Sequence, residues 1–187
     1  MNHFSGDTHS LVLLTILLAM SSCKDNSTSP KEPRPNLILN PSFEFDSVAS
    51  LRFWSTDTFF GRLVRDAPPL GGLWSLELEP DRFGGFGGWA RTYVTGQSDR
   101  GIYKLTVWMK STSHTKGGWV SLGRWARNEF VDSKLVYLDS LAWSQVSITD
   151  TFSLQASDTI AVELSAGSTE LATWQVLFDL VRLERLY

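Results

Sequence analysis

The chain has 187 residues, a formal net charge of −3 and a single cysteine, and 42% of its residues are hydrophobic. The mild charge and the scattered Lys and Arg exclude the basic surface that nucleic-acid-binding proteins need, and one cysteine excludes an intramolecular disulfide. Near its N-terminus the chain has an apolar run followed by a polar segment. The residues after these two segments are numerous enough to form one domain with its own hydrophobic core.

The N-terminal part of the chain has the pattern of an export signal. Leu11–Met20 is an apolar run that is too short to cross a membrane as a helix, which takes about 20 residues, but suits the apolar region of a signal peptide. Ala19-Met-Ser-Ser-Cys23 resembles the lipobox of bacterial lipoproteins, although Met20 replaces the usual leucine and the leader lacks Lys and Arg. The resemblance implies a lipoprotein signal peptide over residues 1–22 and lipidation of Cys23. The alternative is an ordinary cleaved signal followed by an incidental cysteine.

Residues 23–35 are predicted to be a flexible tether. They are rich in Ser and Pro and low in hydrophobicity, so they cannot bury enough apolar surface to fold. A lipidated Cys23 carrying more than one acyl chain would hold the following domain at a membrane. We therefore expect a lipid-anchored protein of the bacterial cell envelope, in the outer membrane and either periplasmic or surface-exposed.

Residues 36–187 are predicted to form an all-β jelly-roll sandwich of about nine or ten antiparallel strands. Apolar and polar residues alternate with the period of a half-buried strand, most clearly in Ile102–Lys110. Glycine pairs, Asp66–Pro69 and Ser98–Gly101 are predicted turns between strands. Asn36–Glu44 and Phe178–Glu184 are predicted as the first and last strands. The others are predicted at 59–64, 74–78, 89–94, 119–124, 143–152 and 159–165.

Several segments of the chain, and the order in which they follow one another, resemble those of carbohydrate-binding modules of families 4 and 9 and their galactose-binding-like relatives. The resemblance is carried by residues 36–44, 72–78, 101–110, 143–152 and 178–179, and it covers nearly all of the predicted domain. It implies a jelly roll that binds a polysaccharide or other glycan. It also implies a structural calcium ion near the first and last strands, held by Glu44 and Asp179 with backbone carbonyls. Leu180 stands where many relatives have a second acid.

Alternation predicts which aromatic side chains face outward and could stack on the apolar face of a sugar ring. Trp54, Trp74, Trp143 and Trp174 are predicted to be core residues. An outward aromatic patch flanked by Arg and Lys could equally bind an envelope protein, because Trp, Tyr and Arg are also hot-spot residues of protein interfaces. The residues predicted to bind carbohydrate are Trp89, Arg91, Tyr93, Trp108, Trp119 and Trp125.

Catalysis has little support in the sequence, so a non-catalytic binding module is predicted. His114, the single histidine outside the leader, lies in a polar predicted turn without an evident nucleophile. Phe83–Gly88 is glycine-rich but lacks the Lys-Ser/Thr that follows a phosphate-binding loop. The alternative function is a structural or protein-interaction lipoprotein of the cell envelope that uses the same sandwich without binding sugar.

Overall fold

A computed structural model describes residues 33–56, 60–80, 87–166 and 174–187. The predicted signal peptide, Cys23 and most of the predicted tether lie outside the described residues, as does most of the glycine-rich segment 83–88. The described ranges contain twelve strands. None of their residues belongs to a helix long and apolar enough to span a membrane.

Ten of these strands form two five-stranded antiparallel sheets, and the other two form a short hairpin. Sheet 1 has the order β10-β7-β12-β5-β4 and sheet 2 the order β3-β6-β11-β8-β9. The architecture is the predicted all-β jelly-roll sandwich. The strands are β1 Glu44–Phe45, β2 Val48–Ala49, β3 Ser55–Thr56, β4 Gly61–Val64, β5 Ser75–Leu78, β6 Trp89–Val94, β7 Asp99–Ser111, β8 Gly118–Ala126, β9 Glu129–Leu138, β10 Ser144–Leu154, β11 Thr159–Ser165 and β12 Val176–Arg185.

The hydrophobic core lies between the two sheets and follows from the alternation of side chains along each strand. In β7 every second residue from Tyr103 to Met109 is buried, while the intervening side chains are only half-buried on the outer face. Fully burying one such aliphatic or aromatic side chain contributes about 1.5–3 kcal/mol. The central core side chains are Leu76, Leu78, Leu105, Val107, Met109, Phe178 and Leu183 from sheet 1, and Val120, Leu122, Ile160, Val162 and Leu164 from sheet 2.

The prediction that Asn36–Glu44 is the first strand is wrong. Only its last residue, Glu44, lies in a strand, and that strand is β1 of the small hairpin. The Asn36 carboxamide explains part of the difference, because it donates to Val181 O at 3.0 Å and accepts from Leu183 N at 2.9 Å. These side-chain bonds replace a regular ladder, and Pro41 has no N–H to donate to one. The segment is tied to β12 without continuing sheet 1.

Two further differences concern strands that flank turns. Strand β9 was not predicted; it follows a two-residue turn in which Arg127 and Asn128 have φ of 54° and 66°, the left-handed conformations of a type I′ hairpin. Ser98–Gly101 was predicted as a turn, but Asp99 to Gly101 belong to β7 and pair with the end of β10. By contrast, β6 and β11 have the predicted bounds.

Candidate functional site

The outer face of sheet 2 brings together most of the aromatic residues that the sequence predicts to face outward. On β6, Trp89, Arg91 and Tyr93 alternate with the buried residues Ala90, Thr92 and Val94. On β8, Trp119 and Trp125 lie on the same outer face. We define the aromatic face as the outward side chains of Trp89, Arg91, Tyr93, Trp119, Trp125, Phe130 and Tyr137.

Arg91 is the centre of the larger part of this face. Its guanidinium carbon lies 4.2 Å from the ring centroid of Trp125, 5.1 Å from that of Trp89 and 5.3 Å from that of Phe130. Tyr93 packs edge-on against Trp125, with ring centroids 5.5 Å apart. Such cation–π and aromatic contacts fix the orientation of all four rings.

The charge of Arg91 is balanced by Glu163 on the neighbouring strand β11. Arg91 Nε donates to Glu163 Oε2 at 2.8 Å, and Nη2 contacts the same oxygen. Burial lowers the pKa of Arg91, but hydrogen bonds to Tyr93 and Glu163 outweigh burial and leave its pKa above the ordinary value. The two opposite charges cancel, so the centre of the aromatic face is an ion pair without net charge.

Trp119 and Tyr137 form the second part of the aromatic face, with ring centroids 4.7 Å apart. Ser165 of β11 pairs with Trp89 on one side and with Trp119 on the other, and Trp119 pairs with Tyr137. Trp119 and Tyr137 therefore lie across β11 from Trp89. Two strand spacings separate Trp89 from Trp119, about 9–10 Å. On β11 the outward positions beside these rings are Ser165, Glu163 and Ala161, and on β8 Ser121 and Gly123 lie between Trp119 and Trp125. The aromatic rings therefore surround the Arg91–Glu163 ion pair and several small residues on one sheet face.

The sequence did not point to Phe130 or Tyr137, because β9 was not recognised as a strand. The register pairs Trp119 with Tyr137 and Trp125 with Phe130, and the second pair of rings is 5.1 Å apart. The signal that could have found them is Arg127-Asn128, since Asn tolerates the left-handed conformation that a tight hairpin requires. Recognising that hairpin would have placed both rings beside the two tryptophans.

Trp108 was predicted to join the other outward aromatics, and the structure corrects this placement. Trp108 is outward, as alternation predicts, but its strand β7 belongs to sheet 1. Its cross-strand neighbours are Gln145 on β10 and Asp179 on β12. Alternation shows which side of a strand a residue occupies, but not which of the two sheets the strand joins. Trp108 therefore lies on the opposite outer surface of the sandwich.

Of the four tryptophans predicted as core, Trp54 and Trp174 are buried. Trp143 and Trp74 are only half-buried. The Trp143 indole donates to Asp66 Oδ1 at 3.0 Å, and the guanidinium of Arg65 lies 4.9 Å from the Trp74 ring centroid. Both rings have polar partners near the surface, so the core prediction is wrong for these two.

The predicted metal ligands Glu44 and Asp179 come together across the turn that contains Gly71 and Gly72. A Cβ atom on Gly71 would overlap Asp179 Oδ2, and one on Gly72 would lie 2.7 Å from the carboxylate oxygens of Glu44. The two carboxylates therefore contact adjacent residues of one turn, and Glu44 is near enough to raise the pKa of Asp179. Glycine at both positions allows the backbone to approach the two carboxylates closely, and Glu44 Oε1 accepts hydrogen bonds from Leu73 N and, at 2.9 Å, from Trp74 N.

The surroundings of Asp179 fit a cation. Its side chain is completely buried, Oδ1 accepts from Leu180 N at 2.7 Å, and Oδ2 has no hydrogen-bond partner. Burial raises the pKa of Asp179 to about 8; the Leu180 hydrogen bond opposes the increase, and the nearby Glu44 adds to it. Among the described residues, no group of three or more Asp, Glu, His or Cys side chains is placed to hold a metal ion. Backbone carbonyls would have to supply the remaining oxygen ligands that calcium prefers.

No protein-family model and no curated protein matches the chain. Among solved structures, a family 16 carbohydrate-binding module aligns with a TM-score of 0.58 and 19% identity, covering 79% of this chain and 99% of that one. The TmCBM61 module, solved in complex with β-1,4-galactotriose, aligns with a TM-score of 0.50 and 18% identity, covering 81% and 99%. The chain therefore has the jelly-roll fold of carbohydrate-binding modules.

The same fold also occurs inside a larger protein. The enzymatically active domain of tailspike protein 4 from bacteriophage CBA120 aligns with a TM-score of 0.58 and 16% identity, covering 81% of this chain. The alignment covers only 21% of the tailspike chain. At these identities the likeness concerns the fold, and the function has to be inferred from the residues of the aromatic face.

Proposed function

We propose that this protein is a non-catalytic carbohydrate-binding module that holds a polysaccharide on the aromatic face of sheet 2. The main support for the proposal is the cluster of outward aromatic rings on this face, where Trp119 is 38% exposed and Tyr93 and Tyr137 are each 39% exposed. An indole face removes the apolar C–H surface of a sugar ring from water, and polar groups beside it can bond the hydroxyls. Structures of the same fold include modules named for carbohydrate binding, one of them solved with β-1,4-galactotriose.

The charges of the aromatic face favour a neutral polysaccharide. The one central cation of this face, Arg91, is neutralised by Glu163, so no unpaired charge there would select a carboxylate or sulfate group.

Trp119→Ala is expected to abolish retention by polysaccharide in affinity electrophoresis. Trp119 is 38% exposed and contacts Tyr137, so truncation removes a binding surface while costing little stability. Loss of one aromatic anchor of a binding site costs about 2 kcal/mol, about 30-fold in affinity. Gels containing β-1,4-galactan, xylan or mixed β-glucans would provide the panel.

Phe53→Ala is the matched control, because Phe53 is 42% exposed and contacts Phe45 and Arg52 outside the aromatic face. This variant should keep the retention of the parent protein. If no polysaccharide retards the parent, while envelope extract yields one stoichiometric protein partner, the sugar proposal is wrong and the protein-interaction alternative is supported.

We also propose that lipidated Cys23 anchors this domain in the bacterial outer membrane and that Glu44 and Asp179 hold a structural calcium ion. The lipobox-like segment supports the anchor, and the unpartnered oxygen of Asp179 beside Glu44 supports the ion. The anchor predicts that labelled palmitate enters the parent protein and not Cys23→Ser. Equal labelling of both proteins would contradict it.

A further inference from the structure

We propose that the outer face of sheet 1 carries a second binding site, built around Trp108, for a single neutral sugar ring. A concave pocket of about 300 Å³ opens there, next to the indole of Trp108. This volume is at the lower end of the range for small-molecule sites, about 300–1,000 Å³. The proposal does not rest on the aromatic face, because Trp108 and that face belong to different sheets.

Three neighbouring strands of sheet 1 and the N-terminal segment build the pocket. Trp108 and Thr106 come from β7, Gln145 from β10 and Arg182 from β12, and Leu180 and Pro41 add apolar walls. The register of β12 against β7 shifts between Asp179 and Arg182, and Leu180 has a φ of 47°. Such bulges redirect side chains and are common beside functional sites.

The pocket wall is held in place by backbone contacts. Val181 N, within the bulge, donates to Pro41 O at 2.8 Å, which ties the N-terminal segment to the edge of the pocket. The Asn36 carboxamide makes a second contact between the two segments, because it donates to Val181 O at 3.0 Å. The concave shape is therefore part of the fold and does not depend on a ligand to form it.

The polar groups of the pocket are available for a ligand. Among the described residues, the Thr106 hydroxyl, the Trp108 indole N–H and the Gln145 carboxamide have no side-chain hydrogen-bond partner. Together they offer donors and acceptors at the edge of a flat aromatic ring. That combination matches a sugar ring, whose C–H face is apolar and whose hydroxyls both donate and accept.

The charges around the pocket favour a neutral ligand. The one charged side chain in the wall, Arg182, is 2.6 Å from Glu184 Oε1 and also donates to Arg34 O at 2.8 Å. Its charge is thus compensated within the protein. A carboxylate or phosphate ligand would have to compete with Glu184, whereas a neutral pyranose would not.

The test is a titration of the ¹⁵N-labelled protein with methyl β-pyranosides of galactose, glucose and xylose, followed at the Trp108 indole N–H resonance. We expect a saturable shift with at least one pyranoside, and the same shift in Trp119→Ala. Gln145→Ala should weaken binding about fivefold, as expected for one lost neutral hydrogen bond. Thr151→Ala, an exposed change on the same strand, should match the parent.

These outcomes test the second site independently of sugar binding by the aromatic face. No saturable shift of Trp108 with any pyranoside overturns the second site, even if Trp119→Ala has lost polysaccharide retention as proposed. A shift that needs an intact Trp119, or one that Gln145→Ala leaves unchanged, also overturns it. A saturable shift in a protein that no polysaccharide retards would support the second site and contradict the proposed function of the aromatic face.

Discussion

Calcium is expected to stabilise the protein substantially against unfolding. At about 100 times its dissociation constant, a ligand that binds only the folded state adds about 2.7 kcal/mol to the free energy of unfolding. For a domain of this size, that corresponds to a rise in Tm of about 5–10 °C. The physical reason is that the cation would satisfy the buried Asp179 Oδ2 and offset the repulsion between Asp179 and Glu44.

The carboxylate variants test whether the effect comes from this site. For Asp179→Asn, the Tm measured with calcium should equal the Tm measured with a chelator. The same should hold for Glu44→Gln, because each substitution removes an anionic ligand. Asp46→Asn is the matched control, since Asp46 is an exposed acid two residues from Glu44. Its response to calcium should equal that of the parent. A parent Tm that does not change with calcium would show that the two acids hold no ion.

Arg91→Ala is expected to damage both the stability and the binding of the aromatic face. The change leaves Glu163, whose side chain is only 21% exposed, without its cation, and an unsatisfied group of this kind costs about 1–3 kcal/mol. It also removes the guanidinium that lies against Trp89 and Trp125. Denaturant unfolding should show the loss of stability, and affinity electrophoresis should show retention weakened at least about tenfold.

Two further variants separate these effects. The double variant Arg91→Met with Glu163→Gln removes both charges, so it should recover most of the stability without recovering polysaccharide retention. Arg62→Ala breaks an ion pair with Glu77 on sheet 1, so it should lower stability while leaving retention intact. If Arg91→Ala retains full affinity, the centre of the aromatic face does not take part in binding.

The fold could be predicted from the sequence because most of it follows from alternation. In β6 and β11 the period-two pattern is continuous, and both strands have the predicted bounds. The pattern fails where a side chain, and not the backbone of a neighbouring strand, bonds to backbone groups. Asn36 is an example, because its carboxamide bonds to Val181 O and Leu183 N of β12. The pattern also fails at Arg127-Asn128, where the turn depends on two left-handed residues that are not glycine.

The candidate sites were only partly predictable, for a related reason. Alternation correctly identified Trp89, Trp108 and Trp119 as outward, but the pairing of strands over long sequence distances decides which outward residues meet. That pairing separates Trp108 from the others and adds Phe130 and Tyr137. The approach of Glu44 to Asp179 likewise depends on the path of the Gly71-Gly72 turn, which no local pattern reports.

Mapping the bound ligand on the protein shows whether the aromatic face binds polysaccharide. Oligosaccharides prepared from the polysaccharide that retards the protein would be titrated into ¹⁵N-labelled protein. We expect the largest shifts at the indole N–H groups of Trp89, Trp119 and Trp125 and along β6, β8 and β11, with buried Trp54 unchanged. Shifts confined to sheet 1 or to the loops, with these three indoles unmoved, would contradict the proposed function.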